Sequence, residues 1–126
     1  MTPIATAHAP AAIGAYSQAI AHDGIVYCSG QIGLLPDGTW AGEDVRTQTE
    51  AALSNLDAIL ESAGSSRDHV IRATIFLASM DDFGIVNEVY AGFFGDHRPA
   101  RACVEASRLP KDARVEISCI AAVSNA

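Results

Sequence analysis

Three side chains near the carboxyl end of the chain have the chemistry to act on a small acid. Arg101 and Cys103 stand two apart in the segment PARACVEASRLP, and Glu116 follows in the segment ARVEIS. Alternation along a strand predicts that Arg101 and Cys103 share a face. Arginine offers a planar fork for a carboxylate, and glutamate offers an acceptor that orients or deprotonates water. Together Arg101 and Glu116 would suit hydrolysis of a small acid.

Both segments also allow a plainer interpretation, in which their polar sides are solvated surface. The polar side of the first segment carries Arg101, Cys103, Glu105 and Ser107, and that of the second carries Arg114, Glu116 and Ser118. Most charged residues on strands are exposed. Alternation alone therefore favours surface charges at Glu105 and Arg114, and chemistry requires that these faces line an enclosed site.

The amino-terminal half supplies a hairpin and a helix to position these strands. Ser17 to His22 and Ile25 to Ser29 flank Asp23-Gly24, a dipeptide typical of a two-residue type I′ turn. Apolar and small residues recur with helical spacing from Val45 to Ala63, and Gly64 then predicts the end of the helix.

The carboxyl-terminal half alternates strand and helix patterns. The predicted elements are a strand at Val70 to Ala78, a helix at Asp82 to Phe94 ended by Gly95, and strands at Arg101 to Ser107 and Ala113 to Val123. The first of these strands is nearly continuous in apolar residues, as in strands covered on both faces. The order ββαβαββ predicts an α+β domain with its helices on one sheet face and a partner subunit covering the other.

Composition predicts one globular domain spanning residues 1–126, with 49% hydrophobic and 18% charged residues. The net charge of −7 and the scattered basic residues argue against nucleic-acid binding. No segment has the length and hydropathy of a signal peptide or a membrane span, so we expect a cytoplasmic protein with no membrane partner.

Metal and disulfide patterns are missing from the sequence. The three cysteines (Cys28, Cys103 and Cys119) and the four histidines (His8, His22, His69 and His97) have no metal-ligand spacing. We expect reduced thiols, no metal and no cofactor, with Cys28 and Cys119 in the core.

Four separated motifs resemble the reactive-intermediate deaminase family, also called RidA or YjgF. They are APAAIGAYSQ at residues 9–18, SGQI at residues 29–32, DFGIVNEVY at residues 82–90, and PARACVE continuing through Leu109-Pro110 to Val115-Glu116-Ile117. The match runs in register over nearly the whole chain. The chain departs from it at Gly14-Ala15-Tyr16, where many members have Gly-Pro-Tyr. It also has a short link at residues 95–98, in which it resembles members that act on 3-aminoacrylate.

The resemblance implies a chorismate-mutase-like fold and a homotrimer with a central β-barrel, outer helices and clefts between subunits. It also implies cofactor-free hydrolysis of enamines and imines, such as 2-aminoacrylate and 2-iminopropionate, to 2-keto acids and ammonia. The small-molecule partner is thus an imino acid substrate or its keto acid product.

Site roles follow from the same resemblance. Arg101 matches the arginine that clamps the substrate carboxylate, and Glu116 matches the glutamate that positions water. Tyr16, Ser29, Gly30, Asn87 and Cys103 match other substrate-binding positions of the cleft. Gly30 would let a ligand approach the main chain, and Cys103 would contribute main-chain atoms rather than its sulfur.

Structural roles remain open for several of these residues. Tyr16 could pack on the hairpin, Ser29 could end a strand, Asn87 could point to solvent from its helix, and Cys103 could be a small packing residue. Arg101 could also lower the pKa of the Cys103 thiol and make it reactive. A keto-acid sensor or protein-binding module is the alternative to an enzyme, and an endoribonuclease is disfavoured by the acidic charge.

Overall fold

The computed structural model describes residues 1–123, so the last three residues of the predicted domain, 124–126, lie outside the described part. Six strands and two long helices follow one another as β1 (Thr2–Ile4), β2 (Ala19–His22), β3 (Ile25–Gln31), α1 (Val45–Ser62), β4 (Val70–Leu77), α2 (Phe83–Phe94), β5 (Ala100–Glu105) and β6 (Val115–Ala122). The predicted order is confirmed from the hairpin onward. The short strand β1 was not predicted.

The β2–β3 turn and the ends of both helices lie where the glycines of the sequence predicted them. Asp23 and Gly24 both have positive φ angles, of 51° and 79°, as a type I′ turn requires, and they join β2 to β3. Gly64 follows α1 with a φ of 78°, and Gly95 follows α2 with a φ of 64°. Asp44 begins α1 by accepting a hydrogen bond from the Thr47 amide at 2.9 Å.

The strands form one mixed sheet in the order β1-β2-β3-β6-β4-β5. Only the β4–β5 pair is parallel, and β5 lies at one edge of the sheet. The connection between β5 and β6, residues 106–114, therefore does not make a hairpin but passes the end of β4.

Both helices pack on the same face of the sheet. Their buried side chains, among them Leu53, Ile59 and Val86, share one core with buried strand residues such as Ile75 and Ile117. The predicted α+β architecture with helices on one face is confirmed.

The second face of the sheet carries apolar side chains that no element of the described chain covers. Tyr27 is 47% exposed and Val104 is 45% exposed. In β4, Thr74 and Phe76 on this face are only half-buried, while Ala73, Ile75 and Leu77 opposite them are buried. The expectation that β4 is covered on both faces therefore does not hold within one chain.

The two predicted polar sides of β5 and β6 lie on opposite faces of the sheet. Cys103 pairs with Ile75 and packs against the helix-covered core, so Arg101 and Cys103 face the helices. Glu116 pairs with Phe76 and faces the uncovered side. In β5 the predicted apolar side includes Val104, which is exposed, and Arg101 and Glu105 on the other side are exposed as well. Arg101 lies against α2, with its guanidinium near the rings of Phe83 and Tyr90.

Candidate active site

The structure places four of the predicted site residues around one cavity, which we call the Glu116 cavity. It has a volume of about 700 Å³, and Tyr16, Ser29, Gly30 and Glu116 line it. It lies where β3 ends and β6 begins, next to the loop that carries Tyr16. Residues far apart in the chain meet here because β3 and β6 are neighbours in the sheet.

Glu116 lies directly against the main chain of Gly30. A β-carbon built on Gly30 would be 2.9 Å from the Cδ atom of Glu116, which is closer than any real contact of that kind. Ser29 and Gly30 form a bulge in β3, since Cys28 pairs with Cys119 but Gln31 pairs with Ile117. A side chain at position 30 would therefore displace the Glu116 carboxylate, while the backbone angles of Gly30 do not themselves call for glycine.

Burial raises the pKa of the Glu116 carboxyl above its ordinary value. The side chain is half-buried and forms no hydrogen bond or ion pair with the described residues. A carboxylate that is partly desolvated and unpaired is a stronger acceptor for a proton than one in water. Glu116 can thus accept a hydrogen bond from a water molecule in the cavity and take its proton.

Ser29 and Tyr16 have partners that hold the cavity wall. The Ser29 hydroxyl donates to the Ser17 carbonyl at 2.6 Å, and the Ser29 amide donates to the Gln18 carbonyl at 2.9 Å. Ser29 therefore joins β3 to the loop before β2 and does not merely end a strand. Tyr16 is 53% exposed, and its hydroxyl accepts from the Ile13 amide at 3.4 Å. Its ring stands at the cavity wall rather than packing into the hairpin.

Arg101 and Asn87 line a separate cavity of about 410 Å³, which we call the Arg101 cavity. The guanidinium carbon of Arg101 lies 4.9 Å from the ring centroid of Tyr90 and 5.5 Å from that of Phe83. Arg101 has no hydrogen bond or ion pair with residues 1–123, so its fork is available to a ligand while the two rings orient it. Neither ring was predicted as part of the site. Phe83 and Tyr90 are seven residues apart in the sequence, and this spacing puts both rings on one side of a helix.

Asn87 lies on α2, half-buried, and its amide makes no hydrogen bond with the described residues. Cys103, two residues after Arg101 in β5, lines neither cavity and packs partly buried against the core. Burial raises the pKa of the Cys103 thiol, and the opposing effect of the Arg101 charge is smaller. The idea that Arg101 activates this thiol is therefore wrong, because desolvation outweighs the nearby charge.

The remaining cysteines are structural, as expected. Cys28 and Cys119 are buried and lie side by side on neighbouring strands. The hydrogen bond that the Cys119 thiol makes with Cys28 and the burial of Cys119 raise the pKa of Cys119. Within residues 1–123, no group of three His, Cys, Asp or Glu side chains is arranged to hold a metal ion. No helix in that range is long and apolar enough to cross a membrane.

The two cavities do not meet within one chain. Arg101 lies beside Ala73 and Glu116 lies opposite Phe76, with β4 between their strands. Two strand spacings and three residues of offset separate their Cα atoms by about 14 Å, and their side chains leave opposite faces of the sheet. The fold and its cavities define a small α+β protein that presents a carboxylate on one face and an arginine on the other.

The chain belongs to the Endoribonuclease L-PSP family, whose model matches residues 6–123. This is the family to which the RidA motifs pointed, so that recognition is confirmed.

Named relatives cover nearly the whole chain. The chain is 46% identical over 119 residues to the 2-iminobutanoate/2-iminopropanoate deaminase of Rattus norvegicus, and the aligned region covers 94% of this chain and 87% of that protein. It is 47% identical over 124 residues to the RutC family protein slr0709 of Synechocystis, covering 96% and 95% of the two chains. Among solved structures, E. coli TdcF with bound serine matches with a TM-score of 0.93 and 41% identity, over 98% of this chain and 100% of that one.

Proposed function

We propose that the chain hydrolyses enamines and imines of small 2-amino acids to 2-keto acids and ammonia. The observation that carries this proposal is the pair of unpaired ionisable side chains, Arg101 and Glu116, each opening into its own cavity. A relative of 46% identity is named 2-iminobutanoate/2-iminopropanoate deaminase, which supports the same reaction class.

The reaction assigns one task to each side chain. Arg101 holds the substrate carboxylate through two parallel hydrogen bonds. An enamine substrate first moves one N–H proton to its terminal carbon and becomes the imine. Glu116 then accepts a proton from water as the water oxygen forms a bond to the imine carbon, and it passes this proton to the imine nitrogen, which gives a carbinolamine. When the C–N bond breaks, the hydroxyl proton moves to the leaving nitrogen, so ammonia departs and the carbon keeps the oxygen as a ketone. No electrons are gained or lost, so the reaction needs only water.

The opposite faces of Arg101 and Glu116 lead us to place the site between two copies of the chain. The uncovered sheet face, with Tyr27 and Val104 exposed, offers an apolar surface for association. In the proposed homotrimer the sheets enclose a central barrel, and the Arg101 cavity of one copy adjoins the Glu116 cavity of the next. Main-chain atoms near Gly30 and Cys103, with Asn87, complete the binding of the substrate.

The test is to generate 2-aminoacrylate with a dehydratase, add the protein, and follow the formation of pyruvate. Arg101→Ala removes the carboxylate clamp and should cost about 2–5 kcal/mol of transition-state binding, which is a loss of at least about 30-fold in kcat/KM. Arg46→Ala is the matched control, because Arg46 forms an exposed ion pair with Glu88 on the helices. Wild-type protein that gives no acceleration, or an Arg101→Ala variant equal to the Arg46→Ala control, would overturn the proposal.

RNA cleavage, which the family description names, has less support in this chain. The net charge is −7, and Arg46, Arg67 and Arg108 are already paired with carboxylates. A phosphate backbone would therefore meet repulsion over most of the surface.

A further inference from the structure

Apart from the Tyr90 hydroxyl, residues 1–123 contain six buried polar side chains, and five of them have hydrogen-bond partners. The five with partners are Gln18, Gln48, Thr49, Asn55 and Ser65. The sixth is Gln31, which is 7% exposed and whose side-chain amide has no partner among these residues. Buried amides without partners are uncommon in folded proteins, because the lost contacts with water are not replaced.

Gln31 lies at the wall of the Glu116 cavity. Gln31 is the last residue of β3, it directly follows Gly30, and it lines the cavity. Within the described residues, the Tyr90 hydroxyl is the only side-chain group that is both sealed from solvent and unpartnered. The amide of Gln31 is therefore not sealed, and the cavity that Gln31 lines is the open space beside it.

Gln31 and Glu116 belong to different parts of the cavity wall, on opposite sides of the sheet. Gln31 pairs with Ile117 and shares the helix-covered face, whereas Glu116 faces the other side of the sheet. Much of the cavity wall is apolar, through residues such as Ile13, Ile32 and Leu34. A volume of about 700 Å³ is several times that of a three-carbon acid, so this region can receive a substrate side chain.

We propose that Gln31 is a specificity residue whose amide hydrogen-bonds a carboxamide on the substrate side chain. The preferred substrates are then 2-imino acids with a neutral polar side chain, and this inference rests on the proposed deaminase function. A carboxamide both donates and accepts, as the Gln31 amide does. A carboxylate side chain is disfavoured, because Asp37 and Glu116 place two acids around the cavity against one base, Lys111.

The experiment compares two imino acids of nearly the same shape, generated in place from asparagine and from leucine by an amino-acid oxidase. Wild-type protein should show a kcat/KM at least about tenfold higher for the asparagine-derived imine. Gln31→Leu should reduce this ratio by at least about tenfold and leave 2-aminoacrylate turnover within about threefold of wild type.

Gln48→Leu is the matched control, since Gln48 is equally buried but fully bonded. Its amide donates to the carbonyls of Gly42 and Glu43 and accepts from the Arg114 amide. Gln48→Leu should lower Tm and keep the substrate ratio, whereas Gln31→Leu should not lower Tm and should change the ratio.

Each remaining outcome identifies what failed. If wild-type protein turns over 2-aminoacrylate but shows no preference between the two larger imines, the specificity role of Gln31 is wrong and the deaminase function stands. Equal losses for all imines in Gln31→Leu, together with a lower Tm, would show a structural residue instead. If wild-type protein turns over no imine at all, the deaminase function itself is wrong and the specificity role falls with it.

Discussion

The contact between Gly30 and Glu116 allows the position of the carboxylate to be changed without touching its chemistry. In Gly30→Ala, the new β-carbon would stand 2.9 Å from Cδ and 3.0 Å from Cγ of Glu116. Carbon atoms not bonded to each other settle about 3.5–4.0 Å apart, so the carboxyl group must move by about 0.5–1 Å. The φ of Gly30 is not in the left-handed region, so the substitution adds no backbone strain.

A displacement of this size predicts a large loss of activity. Misplacing a reacting group by about 1 Å costs on the order of 100-fold in rate, and crowding of a packed site costs about 1–3 kcal/mol of unfolding free energy. The assay is pyruvate formation from 2-aminoacrylate, with urea unfolding of the same samples. We expect kcat to fall by about 10- to 100-fold, while the substrate carboxylate is still bound by Arg101.

A double-mutant cycle tests whether Glu116 carries the effect. In a Glu116→Ala background the side chain that meets the new β-carbon is absent, so Gly30→Ala should no longer change stability. Gly84→Ala is the control, because Gly84 lies in α2 with open space around its Cα and should gain about 0.5–1 kcal/mol. The reasoning is refuted if Gly30→Ala keeps kcat within twofold of wild type, or destabilises the Glu116→Ala protein as much as the wild type.

Four further predictions concern Tyr90, Glu116 and Cys103. Tyr90→Phe keeps the ring beneath Arg101 and removes a buried hydroxyl without a partner, so urea unfolding should show a gain of about 1 kcal/mol; a clear loss would mean that the hydroxyl is bonded. Tyr90→Leu removes the ring, and KM should rise about two- to fivefold. The pKa of the Glu116 carboxyl is higher in the folded protein than in the unfolded protein, so the folded state binds the carboxyl proton more tightly. This contribution to stability is fully present below the ordinary carboxyl pKa and is lost as the pH rises through the raised pKa. Glu116→Gln should therefore unfold at higher urea than wild type at pH 7 and at nearly the same urea at pH 4, and a difference that grows on acidification would contradict this sign. The raised pKa of Cys103 predicts slow alkylation by iodoacetamide at pH 7.5, and Cys103→Ala should keep kcat within about threefold; rapid alkylation together with loss of turnover would give the thiol a role.

Local chemistry in the sequence was sufficient to predict most of the elements. Asp23-Gly24, Gly64 and Gly95 marked a turn and two helix ends, because positive φ angles at those places favour glycine and aspartate. Strand β1 escaped prediction because three residues, one of them a proline, show no period. It exists through pairing with β2, which the local sequence does not encode.

The sheet face on which the polar side of each strand lies could not be predicted from the local sequence. Alternation assigned Arg101 and Glu116 each to the polar side of its own strand, but it does not say which side faces the helices. That depends on register with β4, where Arg101 lies beside Ala73 and Glu116 lies opposite Phe76. The family resemblance supplied the candidate site residues, and only the tertiary structure shows that one chain holds them in two separate groups. The unpartnered state of Gln31 likewise depends on tertiary neighbours.

The placement of Arg101 and Glu116 on opposite faces has a genetic consequence. If each cleft takes its arginine from one copy and its glutamate from another, two inactive variants can repair each other when they assemble together. In an equal mixture of Arg101→Ala and Glu116→Ala chains, refolded together, about a quarter of the clefts would receive both intact side chains. Two defective alleles would then yield partial activity in one cell, whereas two variants in the same cavity, Gly30→Ala and Glu116→Ala, would not.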